Sequence, residues 1–123
     1  MAALLRRQGK EVPQTIELEL LLDTGADTTT IKEMHMRSLF VPVRGATEVR
    51  GATTDAGSTQ CNTYDLSLEF INSAGDRPLF LSSVEVIGRP FHNEVIDGVI
   101  GRDVMANMIL TIEGPRKQFS VLY

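Results

Sequence analysis

Apolar and polar positions alternate in short runs, broken by glycine, proline and polar clusters. This period-two pattern predicts strands joined by turns. Thr15 to Leu22 reads T-I-E-L-E-L-L-L. It alternates first, with Glu17 and Glu19 on a solvated face, and then becomes wholly apolar, which predicts a strand diving into the core before Asp23. Thr47 to Arg50 and Thr59 to Phe70 flank the polar stretch Gly51 to Gly57, and the second arm alternates at Tyr64, Leu66, Leu68 and Phe70. The two arms predict a long hairpin. Pro78 to Ile87 and the apolar run Val95 to Gly101 are further strand-like segments. Met108 to Ile112 and Gln118 to Leu122 predict a closing hairpin around Glu113-Gly114-Pro115-Arg116. Ala2 to Arg7 is a short strand candidate, and Gln8 to Glu11 and Asn72 to Arg77 read as turns. Helical character is confined to two places. Ile31 to Phe40 is ambiguous, with a short helix possible under a Thr30 cap and stopped by Pro42. Arg102 to Met108 places Met105 and Met108 on one face. The pattern is β-rich, with one or two short helices and no solenoid repeat.

The length of 123 residues predicts a single domain over 1–123. Apolar residues make up 42% and charged residues 23%, an ordinary globular balance. The net charge is −4, and no run of Lys and Arg is interleaved with aromatics, so nucleic acid is not an expected partner. Cys61 is the single cysteine, which excludes an internal disulfide and fits a reducing compartment. The N-terminal M-A-A-L-L-R-R-Q-G-K has its charges after a short apolar stretch, unlike a signal peptide. No apolar run approaches the roughly 18 residues of a membrane span. The expected location is cytoplasmic, unless the chain is an excised domain of a longer protein.

Against this background the stretch Leu20 to Ile31, L-L-L-D-T-G-A-D-T-T-T-I, stands out. A carboxylate at the end of an apolar strand begins half desolvated. Gly25 permits a tight turn and close backbone approach, and the Thr24 hydroxyl can bond across to another backbone. One such carboxylate has little to offer a peptide bond. Two facing each other share a proton, because like charges about 3 Å apart cannot both ionise. The ionised member then serves as general base on water, and the protonated member as general acid. Such a pair titrates as a unit.

The L-L-D-T-G-A-D-T string, with Val99-Ile100-Gly101-Arg102-Asp103 downstream, resembles the retropepsin-like aspartic proteases. The similarity is closest to cellular and bacterial members, which share an ending like Leu110-Thr111-Ile112-Glu113-Gly114-Pro115 followed by Phe119-Ser120. The resemblance implies an all-β, retropepsin-like closed barrel with a flap hairpin and one short C-terminal helix. It implies Asp23 as the catalytic carboxylate, on an active-site loop continued by Thr24, Gly25 and Ala26. Asp27 and Arg102 would form a bracing ion pair near the substrate main chain, with Ile100 and Gly101 packed beneath the loop. Gly51, Ala52, Thr53 and Thr54 would belong to a flap that closes over substrate and excludes water. The chain holds only one D-T-G. The resemblance therefore implies a homodimer with one Asp23 from each copy, cutting polypeptides with apolar side chains flanking the scissile bond.

Other readings of these residues stay open at this point. Asp23 can be a turn aspartate, and Asp27 and Arg102 unrelated surface charges. The fold can also serve as a non-catalytic peptide-binding or dimerisation module. Asp23 and Asp27 could chelate Mg²⁺, but they share one loop with no third ligand nearby. His35 and His92 lack metal-ligand spacing and read as surface or loop histidines. Cys61 has no basic neighbour and reads as a small, partly buried side chain. No cofactor or metal is expected.

Overall fold

The computed structural model describes residues 2–4, 15–50, 58–71, 77–90 and 95–123. Among the described residues ten strands run in chain order as β1 (Ala2–Leu4), β2 (Thr15–Glu17), β3 (Leu20–Leu22), β4 (Thr30–Lys32), β5 (Gly45–Arg50), β6 (Ser58–Phe70), β7 (Leu79–Arg89), β8 (Gly98–Ile100), β9 (Ile109–Glu113) and β10 (Gln118–Leu122). Helix α1 (Glu33–Ser38) follows β4, and α2 (Arg102–Met105) follows β8. Eight strands form one sheet in the order β2-β1-β6-β7-β4-β8-β3, with β5 paired to β6, while β9 and β10 form a separate ribbon. The sheet curls into a half-barrel whose two end strands, β2 and β3, are joined by Leu18 and Glu19 alone. This is the all-β, retropepsin-like fold.

The core lies inside the curl. Ile31, Met36, Tyr64, Leu68, Val86, Ile100 and Val104 are almost completely buried. Full burial of an aliphatic side chain contributes about 1.5–3 kcal/mol, so these few positions supply much of the drive to curl. The alternation seen at Tyr64, Leu66 and Leu68 does mark buried residues, with Phe70 packed at the margin. The arms of the long hairpin pair in register from Gly45 opposite Thr63 to Arg50 opposite Ser58. The flap residues Gly51, Ala52, Thr53 and Thr54 lie outside the described residues, as do His92 and the turn at Gln8 to Glu11.

Several sequence expectations need correction. The strand expected over Thr15–Leu22 breaks at Leu18 and Glu19. There Leu18 turns into the core, and the Glu19 N–H donates to Asp97 Oδ2 at 2.8 Å while its carbonyl accepts the Asp97 N–H at 2.8 Å. The apolar run after the break does not bury wholly. Leu20 and Leu22 point inward, but Leu21 is 52% exposed, so the alternation persists through β3. The ambiguous stretch resolves into β4 and then α1, and Thr30 is a strand residue, not a cap. Lys32 occupies the cap position without a side-chain bond. Helix α1 ends before Pro42. Val41 N–H bonds back to the Met36 carbonyl at 3.0 Å, and Phe40 takes the left-handed conformation (φ 57°) usually given to glycine. Strand β8 is shorter than the run Val95–Gly101, since Val95 is 93% exposed and Asp97 is spent on cross-links.

Candidate active site

Asp23 is held at the end of β3 by both strand pairing and its own loop. Leu20–Leu22 pairs in parallel with Gly98–Ile100, and the Asp23 N–H continues the ladder to the Ile100 carbonyl at 3.0 Å. The chain then turns sharply. Ala26 N–H returns to the Asp23 carbonyl at 3.1 Å, and Gly25 N–H donates to Asp23 Oδ1 at 2.9 Å. A Cβ on Gly25 would lie 3.2 Å from that same oxygen, so glycine lets the backbone approach the carboxylate closely.

The segment opening α2 clamps the loop from below. Arg102 N–H donates to the Ala26 carbonyl at 2.8 Å and Asp103 N–H to the Asp27 carbonyl at 3.2 Å. The Arg102 guanidinium donates through Nη1 to the Thr24 carbonyl at 2.7 Å and through Nη2 to Asp27 Oδ1. Gly101 packs directly against the Thr28 backbone, where an added Cβ would come within 2.6 Å of the Thr28 carbonyl carbon. Of the residues singled out from sequence, Asp23 to Asp27, Ile100, Gly101 and Arg102 thus converge on one corner of the fold.

Two residues the sequence reading gave no role form the inner half of the clamp. Thr29 is fully buried. Its hydroxyl donates to Asp103 Oδ1 at 2.8 Å and accepts the Gly101 N–H at 3.1 Å, while its own N–H reaches both Asp103 oxygens at 3.1 Å. Asp103 also accepts the Val104 N–H at 2.8 Å. Arg102 and Asp103 therefore divide the work, one outside and one inside the loop. The available signal was the carboxylate directly after Gly101-Arg102, facing three consecutive threonines.

A cleft of about 600 Å³ opens beside Asp23. The loop from Asp23 to Thr28 forms one wall, and β5 contributes Glu48, Val49 and Arg50. Thr30, Ile87, Arg89 and Val99 complete the lining, which is mixed in polarity rather than simply apolar.

His35 is not an idle surface histidine. Its Nε2 lies 3.0 Å from Asp97 Oδ1, tying α1 to the loop before β8. Burial pushes the Asp97 carboxyl up, but the Glu19 N–H, the His35 ring and the nearby Lys32 charge pull it below the usual carboxylate range. Cys61 is buried. Among the described residues no three His, Cys, Asp or Glu side chains converge as metal ligands, and no helix is long and apolar enough to cross a membrane.

No curated protein matches the sequence. The family model described as retroviral aspartyl protease matches residues 5–113. With nearly the whole chain covered and its D-T-G turn held over a Gly-Arg helix start, the chain belongs to the retroviral aspartyl protease family.

Proposed function

We propose that the protein is an aspartic endopeptidase in which two copies each contribute Asp23, with residues 1–123 acting as one domain. The observation that carries this reading is the placement of Asp23. It is half-buried at the mouth of a cleft, with one oxygen held by Gly25 N–H and the loop clamped by Arg102 and Asp103. A lone carboxylate so positioned lacks the partner that general acid–base hydrolysis requires. With a second Asp23 across a two-fold axis, the ionised carboxylate takes a proton from the attacking water while the protonated one gives its proton to the scissile carbonyl oxygen. The first then passes the water's proton to the leaving nitrogen as the C–N bond breaks, and the second recovers a proton from the gem-diol hydroxyl. Arg102 and Asp27 hold the loop in register, and the cleft receives an extended polypeptide. The β5–β6 hairpin closes over it as a flap.

The test is a mixing experiment. Asp23→Asn removes the ionisable group without adding bulk, so the variant should keep its fold and lose peptide cleavage. Added in excess to wild-type protein, it should depress activity by trapping wild-type chains in mixed pairs. Undiminished cleavage by Asp23→Asn protein would rule the mechanism out. Wild-type activity unaffected by excess variant would rule out the shared site.

A further inference from the structure

The floor of the cleft beside Asp23 is one face of the sheet, and strand register fixes which side chains it presents. Val99 lies opposite Thr30, and Thr30 opposite Ile87, so β8, β4 and β7 set these three in one row. Gly88 faces the other way, because a Cβ there would meet Tyr64, Met36 and Glu33 on the core side. Side chains alternate along a strand. Ile87 and Arg89 therefore both face the cleft, and both line it. Glu48 and Arg50, two apart on β5, line it from the flap arm. Arg89 is half-buried and Arg50 exposed.

Charge decides what this far part of the cleft accepts. Asp27 is already paired with Arg102. Asp23 stands at the opposite end, where its N–H bonds to Ile100 beside Val99. Among the described residues lining the cleft, this leaves two guanidinium groups, on Arg50 and Arg89, against one further carboxylate, on Glu48. We infer that Arg89, together with Arg50, selects polypeptides carrying a glutamate or aspartate a few residues from the cut bond. This selectivity rests on the reading of the cleft as the peptide site, and adds a substrate class to it. The resemblance implied apolar side chains next to the bond, and the row from Val99 to Ile87 suits them. Arg89 acts further out. Neighbouring strands stand about 4.8 Å apart, so β7 lies on the order of 10 Å across the sheet from β8. An extended chain advances about 3.3 Å per residue, which places the acidic side chain about three positions from the bond. There the Ile87 side chain supports the methylene stem, and a guanidinium grips the carboxylate through paired N–H donors. Each of two copies offers the same cleft, so an acidic residue is favoured on either side of the bond.

Matched peptides that differ only in Glu, Gln, Leu or Lys at successive positions on either side of the bond test this. At about pH 6 glutamate is ionised, and kcat/KM for the best-placed Glu should exceed that for Gln about tenfold. The Glu-to-Gln ratio should approach one as pH falls below about 4.3, where the substrate carboxyl protonates, whereas titration of Asp23 acts on both peptides alike. Arg89→Gln should cancel the ratio while the Gln peptide is still cut, and Arg89→Glu should turn the preference to Lys. Arg50→Gln, at an exposed position, should narrow the ratio with no change in melting temperature. A Leu or Lys peptide preferred by wild-type protein at these positions would overturn the selection. So would a ratio left intact by Arg89→Gln, or by Arg50→Gln if the Arg89 variant does not fold. Fluorescence anisotropy with Asp23→Asn protein reads the same preference as a difference in Kd, without turnover. Equal Kd for the Glu and Gln peptides sinks the selection even where cleavage depends on Asp23. Tighter binding of the Glu peptide, in a protein whose cleavage survives Asp23→Asn, keeps the selection and removes the shared-aspartate mechanism.

Discussion

Replacing Thr29 by valine changes almost no volume and isolates the inner clamp. The variant loses the hydroxyl that donates to Asp103 and accepts from Gly101 N–H, both in a fully buried position. A hydrogen bond to a charged group contributes about 1.5–3 kcal/mol, and a buried N–H left unpaired costs about 1–3 kcal/mol. The added methyl offsets part of this, leaving an expected loss of about 3 kcal/mol. For a chain of this length that corresponds to a fall in melting temperature of about 12 °C. Thr30→Val is the control, because its hydroxyl makes only a 3.4 Å contact to the Thr28 carbonyl. It should cost less than about 1 kcal/mol. Urea and thermal melts at fixed protomer concentration measure both, since association adds to apparent stability. If Thr29→Val melts within about 2 °C of Thr30→Val, Thr29 is not the hub described, and the loop is held by backbone bonds alone.

Three other outcomes are expected. The Asp97 carboxyl is depressed in the folded state, so its contribution to stability is present above about pH 4 and lost as pH falls through the folded value. Asp97→Asn should therefore lower stability at pH 7 but make little difference near pH 2, and equal losses at both would contradict the assignment. Gly98→Ala would set a Cβ 2.1 Å from the Thr30 carbonyl oxygen, forcing β8 away from β4. Soluble protein with unchanged melting would refute that packing, since a backbone clash of this kind should cost more than about 3 kcal/mol. Arg102→Lys keeps the charge but cannot serve Thr24 and Asp27 together in the planar fork that guanidinium provides. Peptide cleavage should drop well over tenfold while the melting temperature moves little, the Arg102–Asp27 pair being solvent-exposed.

Much of the fold was legible because period-two alternation reports burial directly, as at Tyr64, Leu66 and Leu68. The D-T-G turn and the Gly101-Arg102 start of α2 were legible because their chemistry is local to a few residues. What escaped was set by distant partners. The break at Leu18–Glu19 exists because Asp97, far along the chain, caps the Glu19 N–H. Leu21 looked like core because three leucines in a row cannot reveal which one faces outward. Thr30 looked like a cap until its pairing with Ile87 and Val99 drew it into the sheet. Asp103 stands inside the Val99–Asp103 string and Thr29 among three threonines, but their pairing gains meaning only when β8 brings Gly101 under the loop.

The parallel pairing of β3 with β8 also bears on how the molecule comes into being. Leu22 waits for Ile100, and Thr29 for Asp103, so the turn bearing Asp23 emerges from the ribosome long before anything that can hold it. Closing so long a loop is entropically costly, and topologies ruled by such pairings fold in milliseconds to seconds. A partly made or stalled chain therefore carries the carboxylate on an unbraced segment. On the proposed reading of Asp23, the site is therefore unassembled until the Gly-Arg-Asp corner has been synthesised and docked.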